Sequence, residues 1–157
     1  MKLQYIIDGY NMIRRIDSYR TKFNQSAENG RKALVIQLAN FRSRARSEVV
    51  VVFDGGSGGG LHSGIKVIFS RSQTADDVIK KMVDKDKHDF AITVVSSDTA
   101  VMRYAKSCGC GVLSSEAFHK KISDLKGEAM EEVKEKNDPQ LSTGQIADWL
   151  EIFNKKC

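Results

Sequence analysis

Residues 47–54 read SEVVVVFD. A run of four valines followed by a phenylalanine is too apolar for a strand with one face in water. It suits a central parallel strand covered on both faces, and such a strand needs neighbours of the same kind. The chain supplies them. Residues 3–8 read as a buried strand, residues 65–69 (IKVIF) as a third, residues 91–96 (AITVVS) as a fourth, and residues 111–113 (GVL) as a short fifth. Between them lie helical patterns. Residues 26–46 place Ala27, Ala33, Leu34, Leu38 and Phe41 near helical spacing behind Ser26 as a cap. Further helices run from Thr74 to about Asp86 and over residues 99–107. The stretch GGSGGG, residues 55–60, breaks all regular structure.

Strands alternating with helices imply an α/β fold: a doubly wound, mostly parallel sheet of about five strands. After Ser115 the pattern changes. Residues 115–136 carry Phe118, Ile122, Leu125, Met130 and Val133 on one helix face. Asn137-Asp138-Pro139 breaks that helix, and LSTGQIADWLEIF gives a last amphipathic helix with Trp149. No repeat and no long linker divides the chain, so a single domain over 1–157 is expected, with a C-terminal helical extension from about 115–157.

The composition, 41% hydrophobic and 29% charged over 157 residues, provides for a globular core. No apolar run approaches the roughly 20 residues of a membrane helix, and the first residues lack the order of a signal peptide. A cytoplasmic protein with no membrane partner is expected. Cys108, Cys110 and Cys157 are an odd set, spaced too tightly and without a second pair for a zinc site, so free thiols are expected. The net charge of +5 and pI of about 9.1 fit an anionic partner such as nucleic acid.

The chemistry sits in the aspartates. Asp8 ends the first strand, Asp54 ends the second, Asp98 follows the fourth, and Asp76 lies just inside the helix after the third. In a parallel sheet all these strand ends share one edge, where α/β folds place their sites. Crowded carboxylates repel and raise one another's pKa values, and a divalent cation removes that penalty. An oxygen-rich set of this kind suits Mg²⁺ or Mn²⁺, with water completing the shell. Asp8, Asp76 and Asp98 are the metal-ligand candidates.

Each has a plainer reading. Asp54-Gly55 is an ordinary turn pair, Asp98 is placed to cap the helix at Thr99, and Asn11 suits an Asx-turn. Within the doublet, Thr74-x-x-Asp77 reads as a capping box, which gives Asp77 a structural task. Asp76 borders the apolar stripe of Ala75, Val78, Ile79 and Met82, and is the better ligand. No Gly-x-Gly-x-x-Gly follows the first strand, so no nucleotide cofactor is expected. The glycine loop lacks a P-loop ending, and His62 has no partner for a triad.

Six stretches, in order, resemble the YacP-like NYN domain proteins of the wider PIN-like nuclease fold. They are Ile7-Asp8-Gly9-Tyr10-Asn11, Val52-Phe53-Asp54-Gly55, Val67-Ile68-Phe69-Ser70, Thr74-Ala75-Asp76-Asp77-Val78-Ile79, Ser96-Ser97-Asp98 and Ser114-Ser115-Glu116-Ala117-Phe118. The likeness spans about residues 3–120. It implies a metal-dependent endoribonuclease whose site is Asp8, Asn11, Asp54, Asp76 and Asp98, with Ser97 beside it. Where many such domains carry a further aspartate two residues past the last, this chain has Ala100. RNA is the implied partner, and some relatives act on ribosome-associated messages.

Arg14, Arg15, Arg20 and Lys22 follow the DGYN turn and are placed to hold RNA phosphates, with Arg42, Arg44 and Arg46 extending that track. Tyr10 is placed to stack a base or to pack in the core. The rival classes are a non-catalytic RNA-binding module, a DNA nuclease, and a small-molecule phosphohydrolase. The last commonly needs Asp-x-Asp at a strand end, which Asp8-Gly9-Tyr10 lacks.

Overall fold

The computed structural model describes residues 1–136, with side chains through residue 127. The break at Pro139, the helix carrying Trp149, Cys157, and the side chains of Met130 and Val133 lie outside the described residues.

Strands β1 (Lys2–Asp8), β2 (Glu48–Phe53), β3 (Gly59–His62), β4 (Ile65–Phe69), β5 (Phe90–Val95) and β6 (Gly111–Leu113) form one sheet in the order β3-β4-β2-β1-β5-β6. Every pairing is parallel except that of β3 with β4. Helices α1 (Gly9–Arg15), α2 (Asp17–Gln25), α3 (Ala27–Ala45) and α6 (Ser115–Lys136) take one face; α4 (Ala75–Asp86) and α5 (Thr99–Ser107) take the other.

The period of 2 along each strand sorts the core. Tyr5, Ile7, Val49, Val51, Phe53 and Val67 face α1, α3 and α6. Ile6, Val50, Val52, Ile92 and Val94 face α4 and α5. With β2 and β1 buried on both faces, the continuous valine run follows from position in the sheet. Asp8 and Asp54 continue the even series at the strand ends, so they turn toward α4.

The start of α6 is fixed by aromatic packing. Phe118 is fully buried against Phe41 (centroids 4.9 Å apart) and Tyr5 (5.5 Å). Pairs of this kind add about 0.5–1.5 kcal/mol beyond burial. That anchor places Ser115 and Glu116 at the C-terminal edge of the sheet.

Three expectations are corrected. The sheet has six strands, because the glycine stretch does not break all regular structure: Gly59 and Gly60 pair with Ile68 and Val67 in β3. Gly59 sits at φ +106°, and a Cβ there would lie 2.6 Å from the Val67 carbonyl, so glycine alone permits this strand. Second, the chain after Asp8 enters α1 directly and not a turn. A Cβ on Gly9 would lie 2.4 Å from the Phe53 ring, which is why glycine opens that helix. Third, Arg42, Arg44 and Arg46 do not extend a track from the carboxylate edge. The 19 residues of α3 carry them roughly 27 Å to the opposite edge, where Ser47 leads into β2.

Candidate active site

Asp8 is the last residue of β1 and keeps 7% of its surface exposed. Its Oδ2 accepts the hydroxyl of Ser96, 3.0 Å away at the end of β5. Burial pushes the Asp8 carboxyl up to about 6; the Ser96 bond opposes this, the Asp76 charge adds to it, and the Arg14 charge opposes it. Ser96 is fully buried, and its Oγ also accepts the backbone N–H of Asp98 at 3.0 Å. One hydroxyl therefore ties two of the candidate ligands together.

Asp76, in the first turn of α4, is half-buried while Asp77 is exposed, as the helical projection predicts. Burial raises the Asp76 carboxyl, followed by the charge of Asp98; Lys80 opposes, and Asp77 and Asp54 add. Asp76 thus lies within electrostatic reach of Asp8, Asp54 and Asp98, and the sheet edge brings the four together from separate chain segments. Thr74 caps α4 by accepting the Asp77 N–H at 3.1 Å.

Two of the aspartates also have scaffold tasks. Asp98 caps α5: its Oδ1 accepts the N–H groups of Ala100 (2.9 Å) and Val101 (3.1 Å). Asp54 reaches across to α4, where its Oδ1 accepts the Ala75 N–H at 3.0 Å and the Ser70 hydroxyl at 3.3 Å. It holds the start of the helix that carries Asp76. Neither task uses the second carboxylate oxygen.

Asn11 makes a tertiary brace, not an Asx-turn. Its Oδ1 accepts the Ser97 N–H and the Ser115 hydroxyl, each at 2.8 Å, joining α1, β5 and α6. Ser97 in turn donates its hydroxyl to Glu116 at 3.0 Å and accepts the Ser115 N–H at 3.2 Å. Sequence reasoning missed Ser96 and Glu116 as parts of this site, although both stood in the quoted stretches. A serine at the end of an otherwise apolar strand was the available signal for Ser96.

The basic residues divide. Arg14 donates to the Tyr10 carbonyl at 3.3 Å, and its charge reaches Asp8. Arg15 pairs with Glu116 at 3.6 Å, with about half of each side chain exposed. Arg20 is held by Asp17 and the Arg14 carbonyl. Lys22 instead lines a cavity of about 260 Å³ with Tyr19 and His119 between α2, α3 and α6. Tyr10 packs between Phe53 (5.0 Å) and Phe23 (5.7 Å), and its hydroxyl accepts from Arg31 at 3.1 Å. That is the packing alternative.

The donor set at this edge is all oxygen, which matches Mg²⁺ or Mn²⁺ and no soft metal. Among the described residues, no three His, Cys, Asp or Glu side chains close into a ligand cage. The fit is therefore that of a cation held by one or two carboxylates with its water shell largely kept, the usual Mg²⁺ mode. Among the described residues no helix is long and apolar enough to cross a membrane.

A sequence model of the YacP-like NYN domain matches residues 5–152. Among solved structures, the chain is similar to Rae1 (YacP) from Bacillus subtilis, with 22% identity over 99% of this chain and 92% of that one, and a TM-score of 0.75. A tryptophan-to-leucine mutant of the same protein matches at 24% identity over 86% of this chain and 83% of that one, also at 0.75. These likenesses concern the fold. No curated protein matches the chain significantly.

Proposed function

This chain belongs to the YacP-like NYN domain family, and from that premise we propose that it is a metal-dependent endoribonuclease hydrolysing RNA phosphodiester bonds. The observation that carries the reading is the convergence of Asp8, Asp54, Asp76 and Asp98 on the C-terminal sheet edge, where Ser96 bonds the Asp8 carboxylate and the Asp98 N–H and Asp54 holds the start of the helix that carries Asp76. Burial and a neighbouring carboxylate raise Asp8 and Asp76, a burden a cation would relieve, and perturbed carboxylates in such a place mark functional sites.

In this reading one or two of Asp8, Asp76 and Asp98 would bind Mg²⁺ or Mn²⁺ directly, the remaining carboxylate acting through the water shell of the ion. The ion, when bound, acidifies a water and neutralises charge on the phosphate under attack. The chain's own residues set the geometry. Ser96 orients the Asp8 carboxylate, Asp54 fixes the start of α4 and hence Asp76, and Asn11 locks Ser97 at the rim. Arg14, exposed beside Asp8, is placed to take a phosphate of the substrate backbone. The positive net charge favours a polyanion. RNA in the cytoplasm is the proposed substrate class, with ribosome-associated messages one candidate within it.

A second reading is a non-catalytic RNA-binding module of the same fold. The open spacing of the carboxylates favours it. The two part in one assay: labelled single-stranded RNA, structured RNA and DNA incubated with Mg²⁺, Mn²⁺ or EDTA. The nuclease reading expects RNA cut internally with metal and untouched with EDTA. Binding without cleavage under every condition supports the module, and preferential cutting of DNA reassigns the substrate.

A further inference from the structure

Beside the carboxylate edge, on the opposite face of the sheet, lies a cavity of about 330 Å³ between α3 and the β3–β4 hairpin. That is the size at which small-ligand pockets begin, roughly 300 Å³. Its floor is the half-buried Phe69 backed by the buried Phe53 and Val67, and its helical wall is Val35 and Ile36. Phe53 directly precedes Asp54, and Phe69 directly precedes Ser70, which donates to Asp54. The cavity and the carboxylates are thus two sides of one rim.

The hairpin leaves the cavity open. On β3, Gly60 pairs with Val67, and a Cβ on it would meet nothing within 4 Å. Arg31 stands at the mouth, its guanidinium 5.8 Å from the Phe69 ring centroid and held by the Tyr10 hydroxyl at 3.1 Å. That partner is neutral, so the Arg31 charge is not cancelled by it. Lys32 is paired with Glu28 at 3.1 Å, and His62 closes the far end. An open apolar slot of this size, lined by a half-buried aromatic ring and an arginine with a neutral partner, can seat an unpaired base and grip its phosphate.

We propose that this cavity seats an unpaired RNA base, with Arg31 on the adjoining phosphate, while the strand crosses the rim to the carboxylates. The proposal rests on the RNA reading above and adds a binding subsite to it.

The test uses the full chain in EDTA, so that binding is read without chemistry. Anisotropy compares a dye-labelled single-stranded RNA octamer with a backbone-matched abasic octamer. The proposal expects the RNA to bind roughly ten-fold more tightly than the abasic strand. It expects Val35→Phe, which fills the cavity, to remove most of that difference, and Arg31→Met to weaken both octamers alike and flatten the salt slope by roughly 0.7, neither variant lowering the melting temperature. Ile36→Phe on the same wall replaces Val35→Phe should the latter fail to fold. Equal affinity for the two octamers, no binding of either, or wild-type binding by the variants would overturn the proposal. So would occupation of the cavity by apolar peptides with RNA excluded. Cleavage in Mg²⁺ or Mn²⁺ is scored separately. RNA bound through the cavity but never cut removes the nuclease reading alone, and RNA cut normally by variants with unchanged binding removes the cavity alone.

Discussion

Ser96, which has no exposed surface, donates its hydroxyl to the Asp8 carboxylate at 3.0 Å. The two residues come from the ends of adjacent strands, β5 and β1, and they meet because Ile7 is registered with Val95 one step earlier. A hydroxyl gives Asp8 one fixed partner, but it does not supply a positive charge. The carboxyl stays raised to about 6, and the fold carries the strain of its ionisation.

Asp8 therefore opposes stability at neutral pH in metal-free protein. Its folded value lies above its unfolded value of 3.8, so its stabilising contribution is full below about pH 4 and is lost as pH rises through about 6. In EDTA, the difference in unfolding free energy between wild type and Asp8→Asn should change across this window, in favour of the variant at higher pH. The full linkage is at most roughly 3 kcal/mol. Denaturant melts from pH 4 to 8 check it, and parallel pH profiles for the two proteins would contradict it.

Asp76 and Asp77 should separate. Asp76→Asn removes a carboxylate that faces the cluster and should abolish cleavage with little change in melting. Asp77→Asn changes an exposed first-turn charge and should cost about 0.5 kcal/mol or less. Thr74→Ala, which deletes the cap accepting the Asp77 N–H, should cost about 1 kcal/mol. Paired activity and thermal measurements read all three, and a cleavage loss confined to Asp77→Asn would reverse the assignment.

Asn11→Ala should behave as a scaffold lesion. It strands the Ser97 N–H and the buried Ser115 hydroxyl, both of which point at the lost oxygen. A loss of roughly 1–3 kcal/mol in chemical denaturation is expected. Wild-type stability with cleavage abolished would instead make Asn11 a direct participant in the reaction.

Arg14 and Arg15 should not be equivalent. Arg15 already has Glu116, whereas Arg14 stands beside Asp8 with only a backbone carbonyl as partner among the described bonds. Arg14→Ala should weaken RNA binding and flatten the log-affinity against log-salt slope by roughly 0.7, the value for one lost single-strand contact. Arg15→Ala should change the slope less. Because the Arg14 charge also lowers the Asp8 carboxyl, Arg14→Ala should move the pH profile of metal binding upward. Salt titrations of the two variants test the ranking, and equal slopes would refute it.

The regular elements were legible wherever side chains carried the pattern. The valine run gave β2, Ser26 with the stripe from Ala33 to Phe41 gave α3, and Asp98 before Thr99 gave the cap of α5. What escaped was written in the backbone or in distant pairs. β3 has two glycines and an exposed leucine, so its pairing with β4 leaves no hydrophobic period to read. α1 has seven residues, opens on glycine without a side-chain cap, and is held by the burial of Met12 and Ile13 beneath it. The aspartates were readable as a cluster because parallel strands end together. The further tasks of Asp54 on α4 and of Asn11 on Ser115 depend on contacts across 21 and 104 positions of chain.

The claim on which the rest depends is that the Asp8–Asp76–Asp98 edge holds a divalent cation. Calorimetric titration of Mn²⁺ into wild type, Asp8→Asn and Asp98→Asn at pH 7 measures it directly. Saturable binding to wild type is expected, with an affinity at least roughly ten-fold weaker in each variant, since losing even a residue that supports a metal ligand typically costs roughly 10–100-fold. Mn²⁺ affinity unchanged in both folded variants would place the ion elsewhere and contradict the account.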